Sequence, residues 1–255
     1  MAIHELTEMT WEEVRDLDHA RTVVIIPVGA IEAHGPHLPL GTDVVIALAM
    51  ARAGAKALGA RGLDALILPA LPYTAAGFAA GFSGTISVRG ETVTALLLDL
   101  ARELTRQRFR ALAVANAHLD PAHLHSIAEA ERAAREGGML PLIHPDITKR
   151  PWATRLTEEF RSGACHAGRY ESSILLAERS DLVREDIRKG LPPNPASIGN
   201  AIRSGATSFE EAEGKRAYFG WPADATSEEG RASVQALGAI LADAVSQSLA
   251  GAGGA

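Results

Sequence analysis

Four side chains able to bind a metal ion or move a proton fall within one short stretch of this chain. Between Gly29 and Asp43, reading Gly-Ala-Ile-Glu-Ala-His-Gly-Pro-His-Leu-Pro-Leu-Gly-Thr-Asp, stand Glu32, His34, His37 and Asp43. Glycines and prolines surround them, which is how a loop fixes side-chain directions instead of leaving them solvated. Residues two apart in an extended segment share a face, so Glu32 and His34 can aim at one point, with Asp43 returning after the proline-braced turn. Carboxylates and imidazoles without a thiolate suit Zn²⁺, Mn²⁺ or Fe²⁺ better than a structural zinc knot.

More donors lie downstream. His118 and Asp120 are again two apart, next to Asn116, which can orient one of them by hydrogen bonding. His166 and Glu171 form a second polar knot around Gly168. This supply of carboxylates exceeds what one divalent ion needs and fits two ions sharing a bridging carboxylate, about 3.5–4 Å apart. His166, with an ordinary pKa of about 6.5, reads as a proton shuttle. Structural roles compete: Asp43 and Asp120 both sit where helix N-caps belong, and Glu171 in a first helical turn. His123 and His125 read as surface histidines, His37 as a residue shaping the surroundings of the ligands or a subunit contact, and Cys165 as a packed thiol.

The elements that must position these groups alternate strand, loop and helix. Thr22 to Val28 is a β-branched run typical of a strand covered on both faces. A helix over Val44 to Leu58 follows, then a strand over Ala65 to Leu68 and a long loop, Pro69 to Val88. Its aromatic and small residues, including Tyr73 and Ser83, suggest a pocket wall. Glu91 to Phe109 reads as an amphipathic helix, Ala111 to Ala115 as a buried strand, Pro121 to Glu136 as a helix and Met139 to Ile143 as a strand. Ahead of these, Thr10 to Glu13 has the pattern of a capping box opening a helix through Leu17. Leu191 to Ser197 reads as loop, Ser227 to Ser248 as a closing helix, and Gly251 to Ala255 as a frayed tail. The expected fold is three-layer α/β/α with a mostly parallel sheet, as one domain over residues 1–255. The polar groups then gather at the carboxyl ends of strands, where open α/β folds bind ligands.

Composition narrows the partners. The net charge of −6 comes without a basic cluster, which disfavours nucleic acid. The single Cys165 gives no disulfide framework and fits a reducing cytosol. No apolar run reaches the ~20 residues of a membrane helix, and the opening residues lack signal-peptide character. The expectation is a cytoplasmic protein.

The stretch Gly29 to Asp43 strongly resembles the signature of the creatininase (creatinine amidohydrolase) family. Gly84-Thr85-Ile86-Ser87, Asn116-Ala117-His118, His166 to Ser173 and Tyr218 to Gly230 follow in that family's order. The resemblance implies a dinuclear-metal hydrolase of C–N bonds, often in cyclic amides, assembled as a homohexamer. It implies that Glu32 and His118 hold one ion, that His34 holds the other, and that Asp43 bridges them. Either Asp120 or Glu171 would complete the second site: creatininase has a glutamate at the position of Asp120, and relatives with glycines there use the residue matching Glu171. Tyr73, Ser83, Leu119 and His166 are the candidate substrate contacts. Creatininase carries a Trp-Asp pair where this chain has Ser162-Gly163, and an aromatic where it has Leu119, so creatinine itself is a poor candidate substrate. The expected reaction is hydrolysis of a small amide by a metal-bridging hydroxide, with His166 and Glu171 moving protons. A deformylase, a short-peptide peptidase and a non-catalytic metal-binding protein are the rivals.

Overall fold

The structure, a computed structural model, describes residues 3–251. In chain order its main elements are β1 (Ile3–Glu5), α1 (Trp11–Arg15), β2 (Thr22–Val28), α2 (Thr42–Gly59), β3 (Asp64–Ile67), α3 (Gly90–Arg106), β4 (Ala111–Asn116), α4 (Pro121–Glu136) and β5 (Leu142–Ile143). The remainder contains α5 (Glu158–Ser162), α6 (Arg169–Glu178), α7 (Glu185–Lys189), α8 (Ile198–Arg203) and α9 (Ser227–Gly251).

The strands form one parallel sheet in the order β1-β3-β2-β4-β5. Every residue of β2 and β4 is buried, as their unbroken apolar sequences require. Side chains alternate across the sheet. Val23, Ile25, Ala111 and Ala113 pack with α2, α6 and α9 on one face. Val24, Ile26, Leu112 and Val114 pack with α3 and α4 on the other. This is the expected α/β/α sandwich. From β2 the chain moves through α2 to β3, then returns across β2 through α3 to reach β4. The loops leaving β2 and β4 therefore diverge, and the gap between these carboxyl ends is the switch point of the sheet.

Several boundaries differ from those read in the sequence. β1 is an added three-residue edge strand, too short and too exposed for its pattern to register. β5 covers only Leu142–Ile143, because Pro141 has no N–H to donate to a ladder and serves only as acceptor for Leu112 N. The capping box at Thr10 and Glu13 is present, but its helix stops at Arg15. α2 starts at Thr42 after a Gly41 N-cap, so Asp43 is inside the first turn and not its cap. α9 runs to Gly251, and the rest of the expected frayed tail lies outside the described residues. Among the described residues no helix is long and apolar enough to cross a membrane.

The site-bearing helices are held by a close crossing of α2 and α9. A Cβ on Gly238 would come within 2.4 Å of Ala53 Cβ and 2.8 Å of Gly54 N. Helix propensity alone favours Gly238→Ala by about 1 kcal/mol, but the collision is with backbone, which cannot swing aside. We expect the substitution to destabilise the protein by about 1–3 kcal/mol in urea unfolding. Unchanged or higher stability would contradict the close crossing.

Candidate metal centre

The loop after β2 is pinned before it reaches the site. Thr74 Oγ1 donates to Gly29 O at 2.8 Å, Ala33 N to Thr85 Oγ1 at 3.1 Å, and Glu32 N to Leu40 O at 3.0 Å. Gly29 lets the chain return on itself: a Cβ there would lie 2.6 Å from Val44 N and 2.9 Å from Asp43 Cβ. The Asp43 carboxylate, at the amino end of α2 where the helix dipole favours negative charge, thus reaches back to the end of β2.

Three buried imidazoles share one arrangement. His34 Nδ1–H donates to Glu32 O at 3.1 Å, His118 Nε2–H to Ala75 O at 2.9 Å, and His166 Nε2–H to Ala33 O at 2.8 Å. Each outer nitrogen is tied to a backbone carbonyl, which leaves the inner nitrogen with its lone pair turned to carboxylates. His118 Nδ1 lies 3.2 Å from Glu32 Oε1 and 3.1 Å from Asp43 Oδ2. His34 Nε2 lies 3.1 Å from Asp43 Oδ1, 3.6 Å from Glu171 Oε2 and 3.9 Å from Glu32 Oε1. His166 Nδ1 faces Glu32 Oε1 at 3.9 Å.

Lone pairs turned to carboxylate oxygens repel unless a cation stands between them. The donor atoms make three compact groups: Glu32, Asp43 and His118; His34, Asp43 and Glu171; and Glu32, His34 and His166. Glu32 Oε2 and Asp43 Oδ2 are buried without a hydrogen-bond partner, a cost that coordination would remove. The residues fit divalent metal ions, and Asp43, common to two groups, has one oxygen directed to each.

Without metal, protons take the place of the cations. Burial opposes charge on His34, but Asp43, Glu171 and Glu32 outweigh it and lift its pKa to about 10. Burial likewise opposes charge on His118, and Glu32 and Asp43 raise it well above the ordinary value. Burial opposes ionisation of Asp43, yet the two histidines hold it well below the usual carboxylate range. Glu171 is pushed up to about 8, by burial first, with Asp43 and Glu32 adding to it against the pull of His34. His166 goes the opposite way: burial, then repulsion from His34, keeps it neutral far below its ordinary pKa.

The other residues singled out in the sequence separate. Asp120 is the N-cap of α4: Oδ1 accepts from Ala122 N at 2.8 Å and Oδ2 from Phe78 N at 3.0 Å. Both oxygens are engaged, and Asp120 is absent from the three donor groups. Asn116 does orient its neighbour, donating to His118 O at 2.7 Å and accepting from His118 N. His123 is a correction. It is fully buried on the inner face of α4 with Ser126, Ile127 and Ala130, and donates to Asn116 Oδ1 at 3.0 Å. Only His125 of that pair is exposed. His37 is buried, edge-on to Tyr218, and shares a 2.9 Å hydrogen bond with Ser172, the residue after Glu171. Burial lowers its pKa to about 4. Cys165 is half-buried in the cleft wall, where burial, then the charges of Glu171 and Glu159, raises its thiol pKa.

A cleft of about 280 Å³ opens onto the cluster, with Leu119 and His166 in its wall. Tyr73 and Ser83 are exposed and stand outside its lining. The long loop does build the wall, but through Phe78, while Phe209 lies over His166 with ring centroids 4.3 Å apart. Neither phenylalanine carried a polar signature that would mark it in the sequence. Glu159 was also missed. This buried carboxylate accepts from Arg169 N, Tyr170 N and Trp221 N at 2.6–2.8 Å and so anchors the start of α6 that carries Glu171.

A family description, creatininase (creatinine amidohydrolase), matches residues 7–245. The chain belongs to the creatininase family. Among its relatives, the mycofactocin precursor peptide peptidase of Mycolicibacterium smegmatis is 30% identical over 220 residues, covering 85% of this chain and 81% of the relative. The creatinine amidohydrolase of Pseudomonas putida is 32% identical over 202 residues, covering 73% and 76%. The solved structure "Creatininase Mn" superposes with a TM-score of 0.71 at 25% identity, covering 97% and 99% of the two chains. The creatininase fold of this chain thus carries the parallel sheet and the donor cluster together.

The protonation pattern has a thermodynamic consequence. A group whose pKa is raised by folding holds its proton in the folded state after the unfolded chain has released it, so stability falls as pH rises across that interval. Glu171 acts from its ordinary range to about 8 and His34 from about 6.5 to about 10. Chelated, metal-free protein should therefore lose thermal stability steadily between pH 7 and pH 10, and added Zn²⁺ or Mn²⁺ should flatten that decline. Differential scanning fluorimetry across this range checks both; a metal-free melting temperature that is flat or rising would contradict the assignment.

Proposed function

We propose that this creatininase-family chain is a dinuclear metal-dependent amidohydrolase cleaving a C–N bond of a small amide, with cyclic amides as the leading class. The observation that carries the reading is the shared orientation of three imidazoles, outer nitrogens tied to carbonyls and inner nitrogens turned to buried carboxylates. In this reading Glu32, Asp43 and His118 hold one ion, and His34, Asp43 and Glu171 the other. Asp43, common to both groups, would be shared between the two ions. Glu171 would complete the second site: Asp120 spends both oxygens on backbone N–H groups, whereas Glu171 gives one, Oε2, to Ala167 N.

When bound, two divalent ions supply Lewis acidity, making a water more acidic and an amide carbonyl more electrophilic. The protein's own groups handle the proton. His166 is neutral, its Nε2–H is fixed on Ala33 O, and Phe209 holds its ring plane, so Nδ1 is the basic atom at the cleft. It accepts a proton from the attacking water as the C–O bond forms, and delivers it to the nitrogen as the C–N bond breaks. Phe78, Leu119 and Phe209 supply apolar surface around the reacting atoms, which strengthens these charge interactions.

A second reading is release of residues from a short peptide. The similarity to the mycofactocin precursor peptide peptidase favours it, and so does Ser162-Gly163 at the cleft wall, where small residues leave room for an extended substrate. Both readings use the same donors and differ in what the outer cleft admits.

Elemental analysis after equilibrium dialysis tests the ligand set. Wild type and Asp120→Asn should retain two ions per chain, Glu171→Gln should fall toward one, and Asp43→Ala should lose both. Two tightly held ions in Asp43→Ala would remove the bridging assignment. His166→Gln should keep both ions while kcat on the amide that turns over best in a lactam, hydantoin and formamide panel drops about 10²–10⁴-fold. Loss of an ion in that variant would make His166 a ligand, which its grouping with Glu32 and His34 also permits.

A further inference from the structure

The cleft is electrostatically divided. Its floor holds the carboxylates Glu32, Asp43 and Glu171, with Asp120 committed to backbone N–H groups beside them. Its outer wall holds two cations, Arg161 at the end of α5 and Arg203 at the end of α8, and no further carboxylate. About half of the arginines are ion-paired, among them Arg155 with Asp243, Arg179 with Asp181 and Arg188 with Glu185. Arg161 and Arg203 are exposed and make no ion pair among the described residues. Arg203 bonds to the neutral Asn200 side chain, and its Nη1 lies 3.6 Å from where a Cβ on Gly199 would stand, so the guanidinium lies along the cleft wall. Ser162, Gly163 and Ser197 between them add small polar surface without bulk.

We propose that Arg161 and Arg203 bind a carboxylate on the non-reacting end of the substrate, so that the enzyme acts on anionic amides. The inference rests on the amidohydrolase reading and narrows its substrate class. A guanidinium recognises a carboxylate through two parallel N–H···O bonds, and two arginines opposite the acidic floor give the substrate one orientation. The carboxylate end stays at the mouth, away from Glu32 and Glu171, and the neutral amide is presented to the cluster. An inverted anionic substrate would meet the buried carboxylates. The same group could come from an acidic side arm on a cyclic amide or from the terminal carboxylate of a short peptide.

Isothermal titration calorimetry with matched pairs tests this at low ionic strength: 5-oxoproline against 2-pyrrolidinone, and glycylglycine against its C-terminal amide. Each is titrated into zinc-loaded protein and into metal-free protein, so that binding of a carboxylate to metal is separated from binding to arginine. In at least one pair the acid should bind about tenfold or more tighter than its neutral partner with and without zinc. The ratio should fall to about one in Arg161→Gln/Arg203→Gln protein and shrink with added salt. A preference in the lactam pair identifies a cyclic acid as the source, and one in the peptide pair a chain terminus. Equal or undetectable binding of acid and neutral partner in both pairs overturns the proposal, as does a preference that survives the double substitution. Both exposed side chains can be changed without touching the core, and a melting temperature matching wild type verifies it. Zinc content measured on the same samples is a separate readout: protein without bound zinc would sink the amidohydrolase reading and leave the arginine result standing on its own.

Discussion

The structure turns on a charge imbalance. Glu32, Asp43 and Glu171 are buried together, facing imidazole nitrogens whose outer partners are already fixed, and one backbone N–H, that of Ala167, bonds to Glu171 at 2.6 Å. Three carboxylates cannot share a dry site without compensation. Protons on His34, His118 and Glu171 supply it in the metal-free chain, and divalent cations at the donor groups would supply it in their place. Much of the surrounding architecture holds this unfavourable grouping in place. Gly29 allows Asp43 to approach, Asn116 and His123 brace the His118 backbone, and Glu159 ties down the helix that carries Glu171.

The fold makes the grouping affordable by where it puts it. The switch point between β2 and β4 opens a gap that the sheet itself does not fill, and the loops entering it come from different directions. Glu32 and His34 arrive from β2, His118 from β4, Asp43 from the first turn of α2, and His166 and Glu171 from the segment leading into α6. Such a site is assembled from several elements, each fixed by its own packing in the sheet or against it. The outer cleft lies on the shorter elements α5 and α8, whose exposed side chains stand apart from the donors. Ser162-Gly163, Arg161 and Arg203 all belong to this rim.

The sequence revealed the donors more readily than their roles. Glu32 and His34 at spacing two, and Asp43 after the proline turn, were legible because a glycine- and proline-rich loop has few other reasons to concentrate such groups. The central strands were legible because β2 and β4 are apolar throughout. Asp120 and Glu171 are indistinguishable in the sequence, since which backbone N–H groups each carboxylate meets depends on the fold: Phe78 N, from 42 residues away, and Ala122 N engage Asp120, and Ala167 N engages Glu171. His123 is not a surface histidine because it shares the inner face of α4 with Ile127, Ala130 and Ala134. Glu159 gave no signal at all: it is an ordinary acidic residue in a helix start until Arg169, Tyr170 and Trp221 are folded around it.

The central claim is that Asp43 stands between two cations. Anomalous diffraction from crystals of the metal-loaded protein, collected at the absorption edge of the bound metal, tests it directly. The account predicts two peaks about 3.5–4 Å apart, one beside Glu32 and His118, the other beside His34 and Glu171, with the Asp43 carboxylate between them. A single peak, or a second peak seated on Asp120, would contradict it.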